Sequence, residues 1–185
     1  MEGSSGAYVV FFIRREKNEY STVKMRQILI PVNSVDASGY EAGEEDPEYL
    51  AAVEAAKTDA KNRAEAARTA FIDGGATEAK FQELIPEYSS DGAEGGFYEK
   101  IQKGSMGVPA LEDWLFDSKR QYGDYELLES DAYGYHLVFF VGYGEKSCDV
   151  SADNGLRQKD HEAWTDSLTT ADPVTHWAFS LRQKH

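Results

Sequence analysis

The chain contains a single cysteine, Cys148, among 185 residues. One thiol excludes an intrachain disulfide, and it removes both the paired spacing of a zinc finger and the dithiol of a redox enzyme. Basic residues are scarce: 19 Lys and Arg stand against 33 Asp and Glu, a formal net charge of −14. Binding to a phosphate backbone needs clustered cations, so no nucleic-acid partner is expected. Long apolar runs are missing too. The strongest near the start, Ala7 to Ile13, has seven residues, where a membrane span needs about twenty. No membrane contact by this chain is therefore expected. That run also lacks the basic flank and small-residue cleavage site of a signal peptide. Met1 to Gly6 reads as an added leader or flexible start, and a targeting or anchoring segment is expected upstream of the sequence given.

The motifs of several chemistries are equally missing. The four histidines, His136, His161, His176 and His185, form no HExxH motif, so no metal is expected. The acidic stretch Asp36 to Asp46 does not place its oxygens at the alternating positions of a calcium loop, and reads as solvated. No glycine-rich segment ends in Gly-Lys-Ser/Thr, and no serine lies in a GxSxG elbow. No cofactor is expected.

What is present is patterned. Val23 to Val32 alternates with period two, Met25, Gln27 and Leu29 facing one way and Arg26, Ile28 and Ile30 the other, which predicts a strand ending near Pro31. Asp46-Pro47 predicts a helix start, with Asp as N-cap and Pro at the first helical position. Leu50, Val53, Ala56, Ala60, Ala64, Ala67 and Phe71 predict its buried face, and Gly74-Gly75 its end. Thr77 caps a shorter helix with Phe81, Leu84, Ile85 and Tyr88 on its apolar stripe, followed by a turn-rich loop at residues 90–96. A third helix is expected after Pro109, then strands over Tyr125 to Ser130 and Tyr135 to Tyr143. In the last strand, Tyr135, Leu137, Phe139 and Val141 share one face and His136, Val138 and Phe140 the other. Asn154 to Leu168 is expected to form a further helix that packs through Leu156, Trp164 and Leu168 and stops at Asp172-Pro173. This order predicts an α+β domain, a small mainly antiparallel sheet surrounded by one long and several short helices. The expected division is an N-terminal extension or leader over 1–20, the domain over 21–145, and a C-terminal helical extension over 146–185.

The most specific stretch is Tyr88 to Met106, YSSDGAEGGFYEKIQKGSM, with Gly134-Tyr135-His136 on the last strand. With FxELIPEYS at Phe81 to Ser89, it resembles the parvulin-type peptidyl-prolyl isomerases from about Ser21 to Gly144. Trp164 to Thr175 is similar, more weakly, to the tail of extracytoplasmic foldases of that family. The resemblance implies a parvulin-like fold and isomerisation of Xaa-Pro bonds in unfolded or proline-containing polypeptides outside the cytoplasm, with a non-catalytic chaperone or peptide-binding module as the alternative. It implies a polar set of His136, Asp91 and Gln27, and an apolar cup of Met106, Leu111, Tyr98 and Phe116.

Three departures stand out. Gln27 occupies the position of a family histidine, which implies weakened activity. The usual GGDLG becomes Gly95-Gly96-Phe97-Tyr98-Glu99, so that Tyr98 replaces a pocket leucine. The pocket phenylalanine maps to Leu111, with Ala110 as the rival. Each candidate also has a plainer reading. A strand histidine is by default a hydrogen-bonded structural residue, Gln27 its structural hydrogen-bond partner if the two strands are neighbours, Asp91 before Gly92 a turn former, and Met106 and Phe116 core filler.

Overall fold

The strand β1, Ser21–Ile30, lies inside a four-stranded sheet, and its two faces feed two separate cores. A computed structural model describes residues 18–90 and 94–171. Contacts divide the chain into a compact unit over Ser21–Ser147 and a second unit, whose described part comprises residues 18–20 and 148–171. In the first unit, four strands form one sheet in the order β2-β1-β4-β3, with β2 Phe97–Ile101, β3 Tyr125–Ser130 and β4 Gly134–Lys146. All pairings are antiparallel.

The helix α1, Pro47–Asp73, begins as its sequence demands: the Asp46 carboxylate accepts from the Glu48 amide at 2.8 Å. Only its second half is buried, through Ala60, Ala64, Ala67 and Phe71. Leu50 is exposed and Val53 and Ala56 are half-buried, which corrects the expected stripe. A 27-residue helix rises about 1.5 Å per residue and so outruns a four-stranded sheet, leaving its first turns without a surface to cover. The shorter α2, Glu78–Tyr88, is capped by the Thr77 hydroxyl, which accepts from the Lys80 amide at 3.2 Å. Both helices pack on the face of Ile28, Ile30, Leu137 and Phe139. Phe71 centres that core, with the rings of Phe81, Tyr125 and Phe139 standing edge-on at 5.3, 5.0 and 6.1 Å. Each such pair adds about 0.5–1.5 kcal/mol beyond its area burial.

The short α3, Pro109–Leu115, covers the other face through Leu111, Trp114 and Leu115 against Val23, Met25, Val138 and Phe140. The strand β2 was not anticipated from the sequence. Its sequence FYEKI follows two glycines and does not alternate cleanly, and it carries a bulge at Lys100 (φ 56°). Pairing with β1 makes it a strand, a long-range effect invisible in five residues. In the second unit, α4, Ser147–Ala171, begins earlier than expected. Leu156, Trp164 and Leu168, expected to pack, are exposed. Asp172-Pro173, the predicted stop, lies outside the described residues, as do Ala7 to Ile13 and Thr175.

Candidate functional site

On the α3 side of the sheet lies a pocket of about 150 Å³ lined by Gln27, Leu29, Tyr98, Met106, Val108, Leu111, Tyr133 and His136. An apolar cavity of that size admits a six-membered ring. Period-two alternation puts Gln27 and Leu29 of β1 on the same side of the sheet as His136 of β4, because Leu29 faces His136 in the antiparallel register. The next pair along, Gln27 and Val138, brings the amide of Gln27 diagonally to His136. Gln27 Oε1 and His136 Nδ1 lie 3.1 Å apart, in residues only 4% and 3% exposed. With the amide oxygen as acceptor, the imidazole proton sits on Nδ1, and in the neutral ring Nε2 keeps its lone pair.

Backbone constraints hold the surrounding loops. The edge of β1 at Leu29 lies beyond the residues that pair with β2, and the Ser89-Ser90 pair takes over there. The Leu29 amide donates to Ser89 Oγ at 3.0 Å, and the Ser90 amide donates to the Leu29 carbonyl at 2.9 Å. The double glycine has a steric origin at Gly96. Its φ is +59°, and a Cβ there would meet the Gln27 carbonyl oxygen and Ile85. The Arg26 guanidinium fastens the same loop, donating to the Gly95 carbonyl at 2.8 Å and to Glu78 at 2.7 Å while lying 5.0 Å from the Phe97 ring centre. Met106 is carried on a loop whose amides at Gly104 and Met106 donate to the two carboxylate oxygens of Glu112, at 2.7 and 2.9 Å.

Five of the seven residues singled out from the sequence therefore converge: Gln27, His136, Met106, Leu111 and Tyr98. Leu111 lines the pocket whereas its rival Ala110 is exposed. Phe116 does not line it. Five residues beyond Leu111, it sits about 140° further round α3. There it caps the helix and packs against the second core, with the Lys103 ammonium 5.6 Å from its ring centre. Asp91 lies outside the described residues. Leu29, Val108, Tyr133 and Glu112 were not anticipated. Leu29 carried a legible signal, since it shares the period-two face of Gln27. Tyr133, half-exposed, reaches the rim through the β3–β4 turn, its ring edge-on to His136 at 6.3 Å.

The arrangement is an apolar cup with one buried polar pair at its side. Among the described residues no group of three or more His, Cys, Asp or Glu is placed to hold a metal ion, and no helix is long and apolar enough to cross a membrane. Comparison with curated proteins and with solved structures gives no match. Comparison with family models matches residues 9–141 to the PPIC-type PPIase domain, a span that begins ahead of β1 and ends within β4. That match covers well over half of the chain, and together with the four-stranded antiparallel sheet and its helices it means that this protein belongs to the parvulin-type peptidyl-prolyl cis-trans isomerases.

Proposed function

We propose that the pocket between β1, β4 and α3 isomerises Xaa-Pro bonds by removing the amide from water and favouring its twisted form. The observation that carries this reading is the convergence of Met106, Val108, Leu111 and Tyr98 around a ring-sized cavity beside the Gln27–His136 pair. Rotation about the Xaa-Pro amide is slow because it breaks resonance, a barrier of about 20 kcal/mol. The planar amide is more charge-separated than the twisted one, so an apolar surround disfavours the ground state more than the transition state. Each 1.36 kcal/mol of that difference is about tenfold in rate. Met106, Val108 and Leu111 grip the pyrrolidine ring. Tyr98 closes the cup where the family has a leucine. Gln27 holds the His136 ring in one orientation, so that its dipole acts on the twisted amide without reorganising. The family resemblance assigns Asp91 to the same polar set.

Gln27 in place of a histidine makes the activity modest, because a neutral amide cannot supply the second imidazole. The substrates are unfolded or proline-containing polypeptides, and the role is assistance to the folding of exported proteins outside the cytoplasm. Support for this placement is the weaker likeness of Trp164 to Thr175 to the tail of extracytoplasmic foldases of the family. The same glutamine, with the altered Gly-Gly-Phe-Tyr-Glu loop, favours a second reading in which the pocket binds proline segments as a chaperone without accelerating exchange.

Two-dimensional exchange NMR on a panel of Xaa-Pro peptides separates the two. Cis–trans cross-peaks that appear with the wild-type chain and fade with Met106→Ala and His136→Ala are expected. Saturable binding without exchange moves the function to the chaperone, and the absence of both defeats each reading.

A further inference from the structure

We propose that Glu112 is the positioning residue that sets the apolar wall of the pocket. Three of the wall residues, Met106, Val108 and Leu111, come from one short stretch of chain, in which Pro109 fixes the backbone only at the start of α3 and leaves the loop before Val108 free. Gly104 and Gly107 both have positive φ, 83° and 68°, and open space where a Cβ would be, so packing at these positions does not dictate the loop path. Residue Val108, at the N-cap of α3, provides no side-chain cap, and a seven-residue helix is too short to hold itself. Met106 has three rotatable side-chain bonds, so its direction depends on where its backbone is held.

Glu112, in the first turn of α3, supplies the missing constraint. Its Oε2 accepts from the Gly104 amide at 2.7 Å and its Oε1 from the Met106 amide at 2.9 Å. Its own amide donates to the Val108 carbonyl at 3.0 Å. One residue thus ties the loop, the helix start and the helix body into a closed ring. The near end of the loop is anchored independently. The Ser105 hydroxyl donates to the Gln102 carbonyl at 2.7 Å, and Gln102 Nε2 donates to the Ser147 carbonyl and hydroxyl at 3.1 and 3.0 Å. With that end fixed, the carboxylate selects one orientation for Met106, and two charge-assisted bonds are strong enough to do so.

Glu112→Gln is the direct test, because an amide keeps one acceptor and turns its NH₂ toward a backbone N–H. Hydrogen exchange and peptide isomerisation are followed by NMR on the full chain. Amide exchange at Gly104 and Met106 is expected to accelerate about tenfold to a hundredfold. The kcat/KM on an Xaa-Pro peptide is expected to fall by about the same factor, and the stability read by urea unfolding to fall by no more than the free energy that factor represents. Glu112→Asp keeps the carboxylate on a shorter stem and is expected to fall between. Asp113→Asn, which removes the same charge from the same turn, is expected to leave exchange and activity as they are. Unchanged exchange at Gly104 and Met106 in Glu112→Gln overturns the proposal. So does an equal loss in Asp113→Asn. The activity arm rests on the isomerase reading, but the exchange arm does not: a wild-type chain without isomerase activity defeats that reading alone, and amide exchange still decides the role of Glu112.

Discussion

Gly96→Ala tests whether the Gly95–Gly96 turn is dictated by backbone sterics. At Gly96 two terms act together. A left-handed φ of +59° costs an alanine about 1–2 kcal/mol. The added methyl would also run into the Gln27 carbonyl oxygen, which belongs to the central strand and cannot step aside, and would stand 2.9 Å from Ile85 Cδ1, which can. Overpacking of this kind adds about 1–3 kcal/mol. The chain contains its own control, since Gly43 has the same φ of +59° with nothing within 4 Å of a Cβ. Gly43→Ala therefore carries the conformational term alone, and the unfolded-state gain from replacing glycine is common to both variants. Urea unfolding with linear extrapolation is expected to show Gly96→Ala less stable than Gly43→Ala by about 1–3 kcal/mol. Because relief of the clash displaces β1 at Gln27, Gly96→Ala should also lose activity that Gly43→Ala retains. Equal stabilities for the two variants, within about 0.5 kcal/mol, would refute the steric account and leave the double glycine a matter of φ alone.

Other expectations follow from single contacts. Gln27→Leu deprives the buried His136 Nδ1 of its partner and is expected to destabilise the protein by about 1–3 kcal/mol, read by urea unfolding. The backbone amides of Glu48 and Ala42 hold the Asp46 carboxyl below the usual aspartate range. Its folded pKa is depressed, so its stabilisation is complete above the unfolded value of about 3.9 and is lost as pH falls through the lower folded value. The stability gap between wild type and Asp46→Ala should accordingly be present at neutral pH and close in strong acid. Phe71→Ala, at the centre of the aromatic core, is expected to cost about 3–5 kcal/mol. Leu50→Ala, on the exposed first turns of the same helix, is expected to stay within about 0.5 kcal/mol, and equal effects from the two would contradict the half-buried helix.

Much of this was legible wherever the physics is local. Caps are satisfied within three residues, so Asp46 and Thr77 announced their helices, and Gly74 closed the first as expected. Period two in Val23 to Val32 and Tyr135 to Tyr143 separated the residues of the two cores, and it put Gln27 and His136 on a common face. What was not legible depends on neighbours far along the chain. Leu50 repeats the apolar spacing of Phe71 but has no sheet beneath it, and FYEKI becomes a strand only because β1 offers it an edge.

Composition, capping residues and periodicity by themselves determined the elements other than β2, the sidedness of the central strands and, with the Tyr88 to Met106 motif, the family. Only the tertiary structure decided which of the candidates meet. Antiparallel register brought Gln27 within hydrogen-bond reach of His136, and helical rotation kept Leu111 in the cup and turned Phe116 out of it. The clamp of Glu112 on the Met106 loop likewise exists only once α3 folds against the loop. The reason is the same in each case. A cap or a period is an interaction between residues a few positions apart, whereas a pocket is a closure among segments that the chain separates by up to a hundred residues or so, and its geometry is set by the packing that brings them together.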